Sequence, residues 1–241
     1  MTATDSFRGV TGVILAGGLG TRLRSAVPDR PKAMAEVAGK PFLSHLLARL
    51  ETAGLRSAVL CIGHLGEQIE DYFGGAFGGL RLAYAREREL LGTGGALRNA
   101  LSLVETETIL AMNGDSWCEA DLAGFRHWHG TREARLSMLL TQVPDSGRFG
   151  GVETDGEGRV LRFLEKESGR GAGWINAGVY LMPRDTIARH PANTVISLER
   201  DVFPHLVGNG LYGWTGGGRF IDIGTEESYG EATAFFSGPA A

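Results

Sequence analysis

Short apolar runs alternate with longer stretches at helical spacing through the first half of the chain. Val13–Ala16 is apolar and ends in glycines, the pattern of a buried strand that feeds a turn. Pro41–Ala53 places Phe42, Leu43, Leu46, Leu47 and Leu50 on one helical face, with Pro41 at a first-turn position and Gly54 as the stop. Ala58–Ile62, Leu80–Ala85 and Thr108–Met112 then read as strands, and Leu65–Phe73 and Gly94–Leu103 as helices. Strands that alternate with helices imply parallel crossover units, so this half is expected to be a doubly wound α/β sheet covered on both faces.

After Asp121 the rhythm changes. A helix to about Gly130 precedes strand candidates at Arg135–Val143, Gly150–Thr154, Val160–Phe163 and Trp174–Leu181, with few helices between them. That pattern predicts a mixed, partly antiparallel extension forming a lid or wall around a substrate. Ser197–Val207 reads as a helix that Pro204 kinks or shortens, Leu211–Trp214 and Arg219–Ile223 as two short strands, and Glu226–Phe236 as a closing amphipathic helix. Gly74-Gly75 and Gly78-Gly79 mark a surface turn. No repeat, low-complexity block or long linker interrupts the chain, so a single domain over residues 1–241 is expected.

Composition narrows the function classes. With 241 residues, 43% of them hydrophobic, the chain has enough apolar side chains for a substantial core. A formal net charge of -4 supplies no broad basic field, so nucleic acid is not an expected partner and any anion site must be local. Cys61 and Cys118 lie in or beside apolar runs without the spacing of a metal knuckle or redox pair, which predicts two buried thiols. Met1–Val10 has no apolar core, and no later run approaches the roughly 18 apolar residues of a membrane span. A cytoplasmic protein is expected. His127-Trp128-His129 is discounted as a ligand pair, because residues two apart on a helix point to different sides.

The lysines are few and well placed. Only Lys32, Lys40 and Lys166 occur among 24 cationic residues, which singles out positions where a compact point charge is wanted. Lys32 follows the glycine-rich segment Leu15-Ala16-Gly17-Gly18-Leu19-Gly20-Thr21-Arg22-Leu23, whose glycines let backbone N–H groups turn toward an anion. No Gly-Lys-Ser/Thr closes this loop, and Leu23 stands where a dinucleotide fingerprint needs its third glycine. Arg22, Arg24, Arg30 and Lys32 nevertheless concentrate positive charge in one stretch, with Pro31 stiffening the backbone. Such a cluster suits a triphosphate. Asp115 follows the strand ending at Met112, and Asp222 follows a second short strand; both take positions where open α/β sheets bind ligands.

Gly17-Gly18-Leu19-Gly20-Thr21-Arg22-Leu23, then Pro31-Lys32, then Gly39-Lys40-Pro41-Phe42 before a helix together resemble the signature of the sugar-nucleotide pyrophosphorylases, the sugar-1-phosphate nucleotidyltransferases. The resemblance implies a Rossmann-like, glycosyltransferase-A type sheet, mixed but mostly parallel, with a small antiparallel sugar-binding extension. It implies a nucleotide-binding half over about 11–120 and a sugar-phosphate-binding half over about 121–241. Arg22 and Lys32 would grip the triphosphate, while Leu15, Ala16, Gly17, Gly18, Gly20 and Thr21 lie against the nucleotide. The second loop, Leu91-Gly92-Thr93-Gly94-Gly95-Ala96, would read the base through Gly92, Thr93 and Gly94. Asp115 and Asp222 would share Mg²⁺. Lys166 would meet the sugar phosphate as a catalytic residue and Glu165 a ring hydroxyl, with Asn113, Gly150 and Asn176 as further sugar contacts.

Within that family the chain is most similar to the D-glycero-α-D-manno-heptose 1-phosphate guanylyltransferases, which favours GTP. It departs from many relatives at Ala33 and Ala35, where they carry prolines, and it lacks the Pro-Leu-Thr that hexose enzymes often show after Arg-Leu. Uridylyl or thymidylyl transfer to a hexose or N-acetylmuramate 1-phosphate is the alternative chemistry, and a non-catalytic nucleotide-sugar-binding regulator is the alternative class. A homo-oligomer is compatible with either. No room for an appended acetyltransferase β-helix is expected after Asp222.

Overall fold

The computed structural model describes residues 7–167, 169 and 171–238. Its strands in chain order are β1 (Val10–Leu15), β2 (Glu36–Val37), β3 (Lys40–Pro41), β4 (Ser57–Ile62), β5 (Ala76–Phe77), β6 (Leu80–Arg86) and β7 (Thr108–Asn113). Six more follow: β8 (Ser116–Ala120), β9 (Leu136–Val143), β10 (Val152–Thr154), β11 (Val160–Phe163), β12 (Gly173–Pro183) and β13 (Leu211–Asp222). The helices are α1 (Phe42–Thr52), α2 (Gly66–Phe73), α3 (Gly92–Ala100), α4 (Leu122–Gly130), α5 (Asp185–Ala188), α6 (Phe203–Leu206) and α7 (Glu226–Ser237).

Nine strands form one sheet in the order β5-β6-β4-β1-β7-β12-β9-β13-β8. β6, β4, β1 and β7 run parallel, as their helical crossovers require. Their side chains alternate between two cores. Ile14 of β1, Leu60 of β4 and Met112 of β7 enter the core that also holds Leu46 and Leu50 of α1 and Ile69 of α2. Val13, Val59 and Ala111 enter the other, against Ala96, Leu97 and Ala100 of α3. Burial on both faces is why these strands read as unbroken apolar runs. Beyond β7 the sheet becomes mixed, with β12 antiparallel to β7 and β9, and β13 parallel to β9 but antiparallel to β8. The antiparallel ribbon β10–β11 is a separate two-stranded sheet, the small extension, tied to β12 and β13 by the bridges Gly151–Ile175 and Arg159–Tyr212.

Three elements depart from the sequence pattern. Leu211–Trp214 and Arg219–Ile223 are not separate strands but parts of the single strand β13, with register shifts on both of its edges around Gly217. A Cβ at Gly217 would lie 2.5 Å from the Leu140 carbonyl oxygen, so the glycine permits close approach of β9 and does not end the strand. Ser197–Val207 is a π turn, Leu198–Val202, followed by α6, with Pro204 tolerated in the first turn of the second piece. β8 has no counterpart in the sequence reading, because an edge strand with polar Ser116 and Glu119 lacks an apolar run. Cys61 and Cys118 are buried and unpaired, and burial pushes both thiols up, Cys118 to about 11. Among the described residues no helix is long and apolar enough to cross a membrane.

Candidate active site

The carboxyl ends of β1 and β7 open onto two adjoining cavities of about 210 and 350 Å³, which share Leu15, Gly18 and Asp115 as walls. The loop after β1 is held from both sides: Ala16 donates its N–H to Cys61 O at 2.9 Å, and Gly114 donates to Leu15 O at 2.9 Å. Gly20 sits at φ +60°, and a Cβ there would lie 3.2 Å from Lys32 Cβ. This glycine is therefore what lets Lys32 fold back under the loop. Ala16, Gly20, Thr21, Arg22 and Lys32 line the smaller cavity beside Gly114 and Gly224. Gly17, Gly92, Thr93 and Asn113 line the larger one.

Two carboxylates face this region, each with a cation beside it. Lys32 Nζ donates to Asp115 Oδ2 at 2.7 Å, and Arg148 lies 3.8 Å from Asp222 Oδ2. The backbones that carry the carboxylates are joined, because Ile223 donates its N–H to Asp115 O at 2.8 Å. Gly224 donates to Asp222 Oδ1 at 2.7 Å. A Cβ at Gly224 would stand 2.5 Å from Asp222 Oδ1, 3.4 Å from Lys32 Nζ and 3.6 Å from the Arg22 guanidinium. Arg22, Lys32 and Asp222 thus converge on a space that one methyl group would fill, with Asp115 paired to Lys32 beside it.

The donor set fits Mg²⁺. It consists of two hard carboxylates, and no group of three or more His, Cys, Asp or Glu converges among the described residues to hold a metal by protein ligands alone. A Mg²⁺ that takes one or two carboxylates and completes its shell with phosphates and water matches that arrangement.

A third cavity of about 450 Å³ contains Gly150, Glu165, Lys166 and Asn176, together with Glu199 and Arg200. Asn176 is fixed across a bulge in β12: its Nδ2 donates to Tyr180 Oη at 2.9 Å and its Oδ1 accepts from Gly178 N–H at 3.0 Å. A Cβ at Gly178 would lie 2.6 Å from Asn113 Nδ2, so the bulge brings this wall against the end of β7. Arg148, which reaches Asp222, also lies over Phe149, a wall of the third cavity. Gly150, Glu165, Lys166 and Asn176 of the expected sugar-phosphate set thus share the third cavity, whereas Asn113, expected with them, lines the larger of the first two. Gly94 and Asp222 line none of the three, and the Gly94 N–H is taken by Ile196 O at 2.8 Å.

Glu87, Arg148, Glu199, Arg200 and Gly224 were not legible as site residues. Glu87 belongs to the charged stretch Arg86-Glu87-Arg88-Glu89, which reads as an ordinary polar loop. In the fold it walls the larger cavity, half-buried, and its Oε1 accepts from Leu91 N–H at 3.0 Å. Burial raises its carboxyl above the ordinary glutamate value, against the lowering effect of the Leu91 hydrogen bond. A Cβ at Gly17 would have to push the Glu87 carboxylate aside.

Residues 11–237 match the nucleotidyl transferase family. The chain belongs to that family. It is 38% identical over 229 residues to the mannose-1-phosphate guanylyltransferase of Mycobacterium tuberculosis, covering 93% of this chain and 64% of that protein, so it spans just under two thirds of that relative's length. It is 35% identical over 221 residues to the D-glycero-alpha-D-manno-heptose 1-phosphate guanylyltransferase of Aneurinibacillus thermoaerophilus, covering 91% of this chain and 95% of that one. HddC from Yersinia pseudotuberculosis, solved alone and with GMP-PN, superposes with a TM-score of 0.82 at 33% identity over 94% of this chain and 99% of its own.

Proposed function

We propose that this nucleotidyltransferase condenses GTP with D-glycero-α-D-manno-heptose 1-phosphate, giving the GDP-sugar and pyrophosphate. The observation that carries the reading is the convergence of Arg22, Lys32 and Asp222 around Gly224, with Asp115 paired to Lys32. A regulator that only binds nucleotide sugars has no need of two carboxylates beside a triphosphate grip. GTP is supported by guanylyl relatives of both sugar classes and by Glu87 in the larger cavity. A carboxylate fixed by Leu91 N–H presents acceptors to the adjacent N–H donors of guanine. Heptose is supported by guanylyltransferases from Aneurinibacillus thermoaerophilus and Campylobacter jejuni at 35% and 34% identity. Mannose 1-phosphate is the competing substrate, because the 38% identical relative acts on it.

In this reading a phosphate oxygen of the sugar 1-phosphate attacks the α-phosphorus of GTP in line. The bond from that phosphorus to the bridging oxygen breaks, and pyrophosphate departs. The attacking oxygen is already ionised, so no general base is required. Lys166 holds the nucleophilic phosphate, Glu165 takes a sugar hydroxyl, and Arg22 and Lys32 neutralise the charge that builds on the departing pyrophosphate. Asp115 and Asp222 would hold Mg²⁺, which when bound supplies positive charge to the phosphates. The test is pyrophosphate release from a panel of GTP, UTP, dTTP, CTP and ATP against heptose, mannose, glucose and N-acetylhexosamine 1-phosphates. GTP with the heptose phosphate should give the highest kcat/KM, and a higher value for any other pair refutes the assignment.

A further inference from the structure

The glycine-rich loop before α3 is shaped as much by another segment of this chain as by any ligand. Ile196 O accepts from Gly94 N–H at 2.8 Å and Gly95 N–H at 3.2 Å, and Ile196 N–H donates to Leu91 O at 2.8 Å. A Cβ at Gly92 would lie 2.6 Å from Ile196 O, one at Gly94 2.7 Å from Ile196 Cγ2, and one at Gly95 2.5 Å from Thr194 O. The glycines clear the track on which residues 194–198 lie. The last tie of this track is the side chain of Thr93, whose Oγ1 accepts from Leu198 N–H at 2.9 Å.

Immediately after that tie the chain enters the π turn Leu198–Val202. Leu198, Val202 and Phe203 are buried and anchor the turn. Ser197 and Asp201 brace it reciprocally: Ser197 Oγ accepts from Arg200 N–H at 3.3 Å, and Asp201 Oδ2 accepts from Ser197 N–H at 2.7 Å. Glu199 and Arg200 are thereby left exposed at the wall of the third cavity, which Glu165 and Lys166 also line. Neither side chain makes an ion pair or hydrogen bond among the described residues. A cavity that carries two cations and two carboxylates suits a ligand with a phosphate at one end and several hydroxyls at the other.

We propose that Arg200 binds the phosphate of the sugar 1-phosphate alongside Lys166, that Glu199 accepts a sugar hydroxyl, and that Thr93 is the positioning residue that registers this pair against the nucleotide pocket. The proposal rests on the function put forward above. Thr93 walls the nucleotide cavity with one side of its side chain and holds Leu198 with its hydroxyl oxygen. One residue therefore fixes the spacing between the nucleotide and the arm that carries Arg200.

The test is steady-state pyrophosphate release by wild type, Arg200→Ala, Glu199→Gln, Thr93→Val and Thr93→Ser, with GTP and the sugar 1-phosphate varied in turn. Arg200→Ala should raise KM for the sugar phosphate by about tenfold or more, since it removes a charged hydrogen-bond donor, while KM for GTP stays within about twofold. Glu199→Gln should raise the same KM by a smaller factor. Thr93→Val keeps the shape of the side chain but removes the acceptor for Leu198 N–H. It should raise KM for the sugar phosphate more than KM for GTP, and Thr93→Ser should restore it. A general loss of packing would move both constants together and would not be rescued by serine. If wild type releases pyrophosphate but Arg200→Ala leaves KM for the sugar phosphate within about twofold, the inference fails and the function stands. If wild type releases none with any pair in the panel, both fail.

Discussion

Glu87→Gln separates a base-reading role from a structural one, because the substitution changes the charge of the side chain and little else. Leu91 N–H donates to Glu87 Oε1 at 3.0 Å, and the glutamine carbonyl oxygen can keep that bond, so the loop before α3 should hold its conformation. What is lost is an ionised acceptor for the guanine N–H donors. A hydrogen bond to a charged group is worth about 1.5–3 kcal/mol. At about 1.4 kcal/mol per decade, kcat/KM for GTP should fall by about tenfold to a hundredfold. The glutamine amide both donates and accepts, which suits uracil, so kcat/KM for UTP should hold or rise. Burial raises the Glu87 carboxyl, which means that its ionised form is penalised in the fold. A group shifted in this direction favours folding at low pH and loses that contribution as pH rises through its folded value. At pH 7 the neutral glutamine should therefore leave the melting temperature equal or slightly higher. The same shift should make KM for GTP climb, in wild type only, as pH falls through a range above the ordinary glutamate value. A variant that melts normally yet keeps its GTP to UTP preference within about twofold would remove Glu87 from base recognition.

Arg22→Ala and Lys166→Ala should each lower kcat by at least about a hundredfold with the fold intact by circular dichroism, as expected when one charged donor to developing charge is removed. Gly224→Ala places a methyl group 2.5 Å from Asp222 Oδ1 and in contact distance of Lys32 and Arg22, and should cut turnover at least as far; a fully active variant would contradict the proposed convergence of charge there. His129 donates to or accepts from Ser137 Oγ at 2.8 Å inside the fold, and burial, aided by Arg126, holds its imidazole down to about 4 against an ordinary 6.5. Stability from this group is full above pH 6.5 and should drain away toward pH 4, by about 3 kcal/mol in all. Urea melts of wild type and His129→Gln across that range should show the wild type losing about 3 kcal/mol relative to the variant toward the acid end.

The parts of the fold that were legible are those whose signal is local. β1, β4 and β7 are buried on both faces by α1, α2 and α3, and that burial writes apolar runs directly into the sequence. The loop after β1, which lines a cavity, was legible as a candidate site because its glycines and cations sit within one short stretch. What escaped depends on partners far away in the chain. Thr215-Gly216-Gly217-Gly218 reads as a break until β9 is known to press its Leu140 carbonyl against Gly217. Gly92, Gly94 and Gly95 read as a ligand loop, whereas Ile196 and Thr194 occupy much of the space that they leave. Leu198-Glu199-Arg200-Asp201 reads as a solvated helix turn, and only the third cavity reveals which way two of its residues face.

The same long-range logic explains why the site can carry so much charge before any substrate arrives. Two carboxylates brought together at the ends of β7 and β13 would repel each other, and each instead has a cation at hand, Lys32 for Asp115 and Arg148 for Asp222. The Lys32 side chain is only 13% exposed, so its pairing is less screened than a surface bridge. With Asp115 41% and Arg148 44% exposed, water still screens both pairs, so each is worth about 1 kcal/mol, enough to bias these side chains toward one another. Asp115 and Asp222 would be the residues to hold a metal, and Lys32 and Arg148, released from these carboxylates, would be free for substrate phosphates. Gly20 is the element that keeps Lys32 so close, because without a side chain at φ +60° the Lys32 backbone lies directly beneath the loop after β1.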